Sequence, residues 1–396
     1  MGLRARLNGD GWAIATPLFF EGEEGRIQAD EPEQLGPLLS SLDDVAASND
    51  PDLIAIGFIT YEAGVWLEGS TPLFRKPEGT PLAAFAVCRL RNAAPRVPTS
   101  PTARLTCEAA SPATPEASLS PREWAEGVEG IRAGIARGDV YQVNLTRRTR
   151  HAARIDPCVL AAALFEENPV PYAVTVAGDA FAVVSNSPEL FLDADLRAGL
   201  AASAPIKGTI ARGRTPAEDG DARARLLASA KDAAEHVMIV DLIRNDLGRV
   251  ARPGGVTAPT RPTLRSFRHL HHLESTVEAR LRTGTRPSDL LRAMLPGGSI
   301  TGAPKRAALA FIRRGEPVPR GAYTGVAGWV GGNGRVVLNV AIRTAILHGS
   351  RVDYHAGGGI VWDSEAASEW RETETKSREF EAVLERLGPR ARESSP

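Results

Sequence analysis

Two alternating runs, RVVLNVAIRTAILHG (335–349) and RVDYHAGGGIVW (351–362), are separated only by Ser350 in an HGS turn. A connection that short joins antiparallel strands, because a parallel partner needs a crossover of about a dozen residues or more. Similar β-like runs recur from residue 140 onward: VYQVNLTRR, YAVTVAG, AFAVVSNS, LFLDADL, HHLESTVEARL and YTGVAGWVGG. Upstream, LIAIGFITYEAGVWL and LAAFAVCRL read as buried strands. The pattern predicts an α+β chain with large antiparallel sheets and helices packed outside.

A chain of 396 residues, 43% hydrophobic and 24% charged, can bury a sizeable core. Lys+Arg 47 against Asp+Glu 48 leaves no global field to recruit nucleic acid or an anionic membrane. No segment approaches the roughly 20 apolar residues of a membrane span, and the first residues lack a signal-peptide run. A cytoplasmic protein is expected. Cys88, Cys107 and Cys158 are too few and too scattered for a disulfide framework, which predicts reduced thiols.

Residues 93–120, rich in Pro, Ala, Ser and Thr, read as a connection, with ARLTCEA as one candidate edge strand. They divide the chain into an N-terminal part, 1–115, and a larger part, 116–390. After them Ser120, Pro121 and Glu123 form a capping-box start to a helix ending near Gly138. Two further strong helices are SAKDAAEHVMIVDLIRNDLG, with Ser229 and Asp232 at capping positions, and SEAASEWRETETKSREFEAVLERL.

Several residues stand out by chemistry. Lys207, in SAPIKGTIARG, has no acidic residue within five positions, so it is either a surface lysine or one that holds an anion or acts as a nucleophile. Glu235 shares a helical stripe with Met238, Ile239 and Leu242, where a carboxylate needs a cation or an edge position. Glu365, Glu369, Glu372, Lys376 and Glu379 line one side of the last helix, mostly as a solvated face. One of them, with Glu235, would suit Mg²⁺, which keeps several waters and takes only one or two carboxylates.

On one continuous strand over 335–349, Val336, Leu338, Val340, Ile342 and Ile346 share a face, and Asn339, Ala341, Arg343 and Ala345 the other. Arg343 among small neighbours fits either a carboxylate ligand or a structural salt bridge. Glycine clusters at 296–305, 321–328 and 355–361 allow close backbone approach to an anion, yet none matches a Walker or dinucleotide loop. A small carboxylate is the better fit. His269, His271 and His272 lack a third ligand at zinc spacing, and His272 reads as a lone hydrogen-bonding residue in a cleft.

The blocks SNSPELF, SAPIKGT, KDAAEHVMIVDLIRNDLGRV, HHLEST, LPGGSITGAPK, GAYTGVAGW, IRTAI, AGGGIVWDSE and WRETETKSREFE resemble, in order and spacing, the chorismate-utilising enzymes. The resemblance implies two large antiparallel sheets packed together with helices outside. Residues 1–115 would complete that fold and residues 116–390 form the chorismate-binding catalytic domain. It implies Mg²⁺ held by Glu235 and Glu372. Chorismate would be met by Tyr323, Arg343, Gly357, Gly358 and Gly359, with Gly297, Gly298, Ser299 and His272 in the same pocket. Glu189 would be the general acid toward the departing 4-hydroxyl.

Two positions separate the branches of this family. Isochorismate synthases carry a lysine base where this chain has Gln142, and a glutamine cannot deprotonate water. Anthranilate synthases show PIAGT where this chain has PIKGT. The lysine form is similar to the first components of aminodeoxychorismate synthases, which implies amination at carbon 4 through a lysine-linked intermediate. Lys207 would then need a free amine, favoured by burial or a nearby cation. No reactive cysteine with a His–Glu pair is visible, so the resemblance implies ammonia from a separate glutamine amidotransferase. The rivals are an anthranilate synthase first component and a silent chorismate-binding subunit.

Overall fold

A computed structural model describes residues 2–69, 75–94, 115–268 and 270–388. ARLTCEA, Cys107 and His269 lie outside the described residues. The alternating runs form two nine-stranded sheets and one of three strands, and every strand pairing among the described residues is antiparallel. The first sheet centres on Gln142–Ala152, Arg351–Ile360, Thr344–His348, Ala182–Ser187 and Tyr172–Ala177; Arg4–Asn8 and Leu18–Phe20 extend it. The second runs from Ala251–Thr257 through Val277–Leu281, Leu200–Ala204, Leu190–Asp195, Arg335–Val340 and Val326–Gly331 to Leu53–Ile59, Ala83–Arg89 and Gly25–Ala29. The small sheet orders Ile206–Ala211, Leu270–Glu274 and Thr263–Ser266.

The layers follow from the alternation. One apolar cluster joins inner faces of both large sheets: Leu7, Phe58, Val174, Val183, Trp329, Val337 and Ile346. At its centre Trp12 donates its indole N–H to the Ala173 carbonyl, and Trp329 donates to the Trp12 carbonyl. The outer face of the first sheet packs on Pro157–Glu167 and Ala366–Leu387, through Leu160, Tyr354, Phe380 and Val383. Leu35–Ala47, Pro287–Met294 and Ala230–Gly248 cover the second sheet.

The helix starts at Pro121 with the reciprocal Ser120–Glu123 box and gives way at Gly138, where φ is +80°. Ser229 caps its helix by accepting from the Asp232 amide. Three expected runs divide differently. LIAIGFITYEAGVWL is strand only to Ile59; Thr60 then caps a helix, Tyr61–Leu67, by accepting from the Ala63 amide. HHLESTVEARL breaks at Ser275 and Thr276, one half in the small sheet and the other in the second. RVVLNVAIRTAILHG breaks at 341–343: Arg335–Val340 belongs to the second sheet and Thr344–His348 to the first. Arg343 therefore lies on no continuous alternating face; it occupies the crossover with a left-handed φ of +49°.

Candidate active site

Crossovers between sheets place Glu189, Arg343 and, at the edge of one, Lys207. The chain leaves the first sheet after Ser187 and enters the second at Leu190, so Glu189 stands in the gap. It leaves the second after Ala204 and enters the small sheet at Ile206, next to Lys207. Residues between sheets escape the strict alternation of side chains, and their groups can converge where neither sheet has a face.

Glu189 is buried, and Ser299 donates its hydroxyl to Glu189 Oε1 over 3.2 Å. Burial pushes the Glu189 carboxyl up to about 7, although the Lys207 charge and the Ser299 bond pull the other way. An acid with that affinity keeps its proton near neutrality and can still release it. Ser299 comes from the segment after Pro287–Met294, where a Cβ on Gly298 would lie 2.2 Å from Leu242 Cδ2.

Lys207 is half-buried. A bulge between Lys207 and Thr209 interrupts its pairing with Leu270–Glu274, and Gly208 takes a φ of +65° there. A Cβ on Gly208 would sit 3.2 Å from Asp232 Cβ, which sets this bulge against the helix of Glu235 and His236. His236 shares a 2.7 Å hydrogen bond with Ser275, and burial followed by the Lys207 charge lowers its pKa to about 4. His236 was not singled out in the sequence, although it follows Glu235 directly.

His272 meets its expectation as a hydrogen-bonding residue: its Nδ1 is 2.7 Å from Thr209 Oγ1. Burial, then the Arg343 charge, lowers its pKa to about 4, so it is neutral at physiological pH. His271 points the other way, to Ser266 and Asp219 at 2.8 and 2.9 Å. Arg343 does not face open space; Glu379 Oε2 lies 3.7 Å from its Nη1. The turn carrying Tyr323 is tied to the Arg343 crossover, since the Thr324 amide donates to the Ala341 carbonyl over 2.8 Å. The buried Tyr323 ring stacks on His355 at 5.3 Å.

Gln142 is fully buried, and neither its Oε1 nor its Nε2 has a hydrogen-bond partner among the described residues. A Cβ on Gly359 would come 2.2 Å from that Nε2, so the glycine keeps space in front of the amide. One residue along, a Cβ on Gly358 would sit 3.1 Å from Glu369 Oε2 and 3.7 Å from Glu372 Oε1. Two carboxylates thus converge over one glycine of the strand Arg351–Ile360; Glu372 is one of the two expected Mg²⁺ ligands, and the carboxylate shown beside it is Glu369, not Glu235. Glu369 is buried despite its place on a face expected to be solvated, and Ser364 donates to its Oε1. Glu372 pairs with Lys376 at 2.7 Å, and Lys376 also donates to the Gly357 carbonyl. Glu235 is half-buried on a different helix.

The sequence profile of chorismate binding enzymes matches residues 7–382. The chain belongs to the chorismate-binding enzyme family. Within it, the chain is 43% identical over 257 residues to an aminodeoxychorismate synthase component 1 of Klebsiella aerogenes, covering 65% of this chain and 56% of that one. It is 40% identical over 271 residues to an anthranilate synthase component 1 of Streptomyces coelicolor, covering 68% and 53%. The chain thus spans little more than half the length of these curated relatives. Among solved structures, anthranilate synthase component I from Streptococcus pneumoniae superposes with a TM-score of 0.72 at 26% identity, over 95% of this chain and 89% of that one. The packed antiparallel sheets with outer helices are this family's fold. No helix among the described residues is long and apolar enough to cross a membrane.

Proposed function

We propose that the protein aminates chorismate at carbon 4, as an aminodeoxychorismate synthase first component. The observation that carries this reading is the meeting of PIKGT with the buried acid: the Ile206 backbone, next to Lys207, bonds the Glu189 carboxyl, which burial holds near pKa 7. By the family resemblance, a lysine in PIKGT suits the carbon-4 branch.

In this reading the Lys207 amine attacks ring carbon 2 while Glu189 protonates the departing 4-hydroxyl, which leaves as water. Ammonia then bonds to carbon 4, the carbon 2–nitrogen bond breaks, and the amine of Lys207 is released. The proton surplus on the incoming nitrogen restores the Glu189 acid. Two allylic displacements return the double bonds to their starting places. Ser299 orients the acid, neutral His272 offers a hydrogen bond, and Gln142 presents an amide that cannot activate water. Arg343 and Tyr323, with the backbone of Gly357 to Gly359, would hold the enolpyruvyl carboxylate, which displaces Glu379 as the Arg343 partner. Glu235 and Glu372 would hold Mg²⁺, which supplies charge neutralisation at the ring carboxylate. A separate glutamine amidotransferase would supply the ammonia.

The test is direct: purified protein receives chorismate, Mg²⁺ and ammonium, and a lyase is then added. 4-Aminobenzoate is expected. Anthranilate would assign the chain to the rival branch, and untouched chorismate with a glutaminase present would leave only the silent binding subunit.

A further inference from the structure

Arg320 lies outside every block that suggested the site, in PVPRGAY, and is almost completely buried. Its five N–H donors are all engaged. Nε and Nη2 form a fork with Glu316, at 2.8 and 2.7 Å. Nη2 also donates to the Asn144 carbonyl over 2.7 Å, and Nη1 donates to the Ile300 carbonyl over 2.8 Å and to Thr324 Oγ1 over 3.3 Å. A guanidinium has no sixth donor, so this side chain has nothing left to offer a ligand.

The three further acceptors belong to three walls of the site. Ile300 follows Ser299, which holds the acid Glu189. Asn144 lies on the Gln142 strand and is the register partner of Gly359. Thr324 follows Tyr323. We infer that Arg320 is a positioning residue: one guanidinium sets the Gly297–Ser299 loop, the Gln142 strand and the Tyr323 turn in a common register without touching substrate. This rests on the chorismate reading above.

The surroundings of Arg320 hold it in that role. Glu62 accepts from the Arg320 and Gly321 amides over 2.7 and 3.0 Å. Glu316 Oε1 also accepts from the Thr146 amide over 2.9 Å, which ties the fork to the Gln142 strand a second time. The Tyr61 ring lies 4.3 Å from the guanidinium carbon, and its hydroxyl is 3.2 Å from Thr301 Oγ1. The helix Tyr61–Leu67, from the N-terminal part, thus meets this region at Arg320, Gly321 and Thr301. Behind Arg320 lies a cavity of about 840 Å³, lined by Glu62, Arg75, Arg137, Arg314 and Glu316 among others. A buried ion pair contributes little net stability compared with apolar packing, whereas removing one partner is costly. Register is the property this one supplies.

Arg320→Lys keeps the charge but presents a single nitrogen, which cannot reach Ile300, Asn144 and Glu316 together. The full chain carrying it is assayed for chorismate turnover with Mg²⁺ and ammonium, beside a thermal melt. The expected result is a folded protein with kcat lowered by about 10- to 100-fold and a raised KM. The alkaline limb of its pH profile moves upward, as in Ser299→Ala, because both changes withdraw a donor from the Glu189 carboxylate. Lys207 and Glu274, the charged groups facing Glu189, are untouched in both variants. The double variant shows no further shift, an outcome that general loosening of the fold would not produce. A folded Arg320→Lys protein with wild-type kcat, KM and pH limb overturns the inference. Should that variant fail to fold, Glu316→Gln replaces it. A few-fold loss with the same direction of pH shift is then expected, and wild-type behaviour is again the overturning result. Wild-type protein inert toward chorismate overturns the functional reading and this inference together, whereas an active wild type with indifferent variants overturns this inference alone.

Discussion

The Ser299 hydroxyl donates to Glu189 Oε1 across 3.2 Å, joining the glycine loop after Met294 to the crossover between the two large sheets. This contact orients a buried carboxyl; under the proposed function that carboxyl gives up a proton in one direction, which would make the loop's position part of the chemistry.

Activity should therefore fall as pH rises through about 7, where burial holds the Glu189 carboxyl. Glu189→Gln should lower kcat by about 100-fold or more and abolish that limb. Steady-state rates across the pH range check both. An unshifted limb in the glutamine variant would assign it to another group.

The same carboxyl should make the protein less stable in alkali. Its folded pKa of about 7 lies above its ordinary 4.5, so the folded chain holds an extra proton between those values. Stability from this group is complete below the ordinary value and is lost as pH rises through the folded one. Glu62, raised to about 7 by burial, acts in the same direction. Glu189→Gln should raise the thermal midpoint at about pH 8.5 and leave it nearly unchanged at about pH 4. Melts at the two pH values decide it.

Lys207 pulls the Glu189 pKa down. Lys207→Ala should thus move the alkaline limb upward and divert product from carbon-4 amination toward anthranilate, or slow turnover. Fluorescence and mass spectrometry of the products distinguish the two. An unchanged product and rate would remove Lys207 from the chemistry.

Gln142 buries an amide with no partner among the described residues, a cost of about 1–3 kcal/mol in proteins. Gln142→Leu should hold or raise the thermal midpoint while raising KM for chorismate. A fall in stability with unchanged KM would mean the amide serves the fold.

Chelation should abolish turnover and Mg²⁺ restore it, with Glu372→Gln raising the Mg²⁺ requirement by about 10- to 100-fold or more. Mg²⁺ titration of activity, with calorimetry of Mg²⁺ binding, tests this. Full activity in chelator would remove the metal from the proposal.

What was readable in the sequence was what depends on neighbours along the chain. The Ser120–Glu123 box fixes a helix start within four residues, and it appears as expected. The segment 335–348 was misleading because both sheets impose the same period of two, so a chain passing from one to the other keeps its alternation. Tyr61–Leu67 was hidden inside one apolar run, where strand and buried helix look alike; Thr60 was its only local sign. Lys207 stands out by its uncharged surroundings alone, whereas Glu189, and a role for either, comes only from the family blocks, since Glu189 lies in a crossover between sheets. Arg320 had no local mark: an arginine between proline and glycine resembles a surface loop residue, and its acceptors lie on segments far apart in sequence.

The pairing of Leu53–Ile59 with Val326–Gly331 has a consequence for how the chain is made. At about 5–20 residues per second, the later strand leaves the ribosome roughly half a minute after the earlier one. During that interval Leu53–Ile59 has Ala83–Arg89 on one side and an open edge on the other. The nascent chain must keep this apolar edge from other strands until most of the protein has been synthesised.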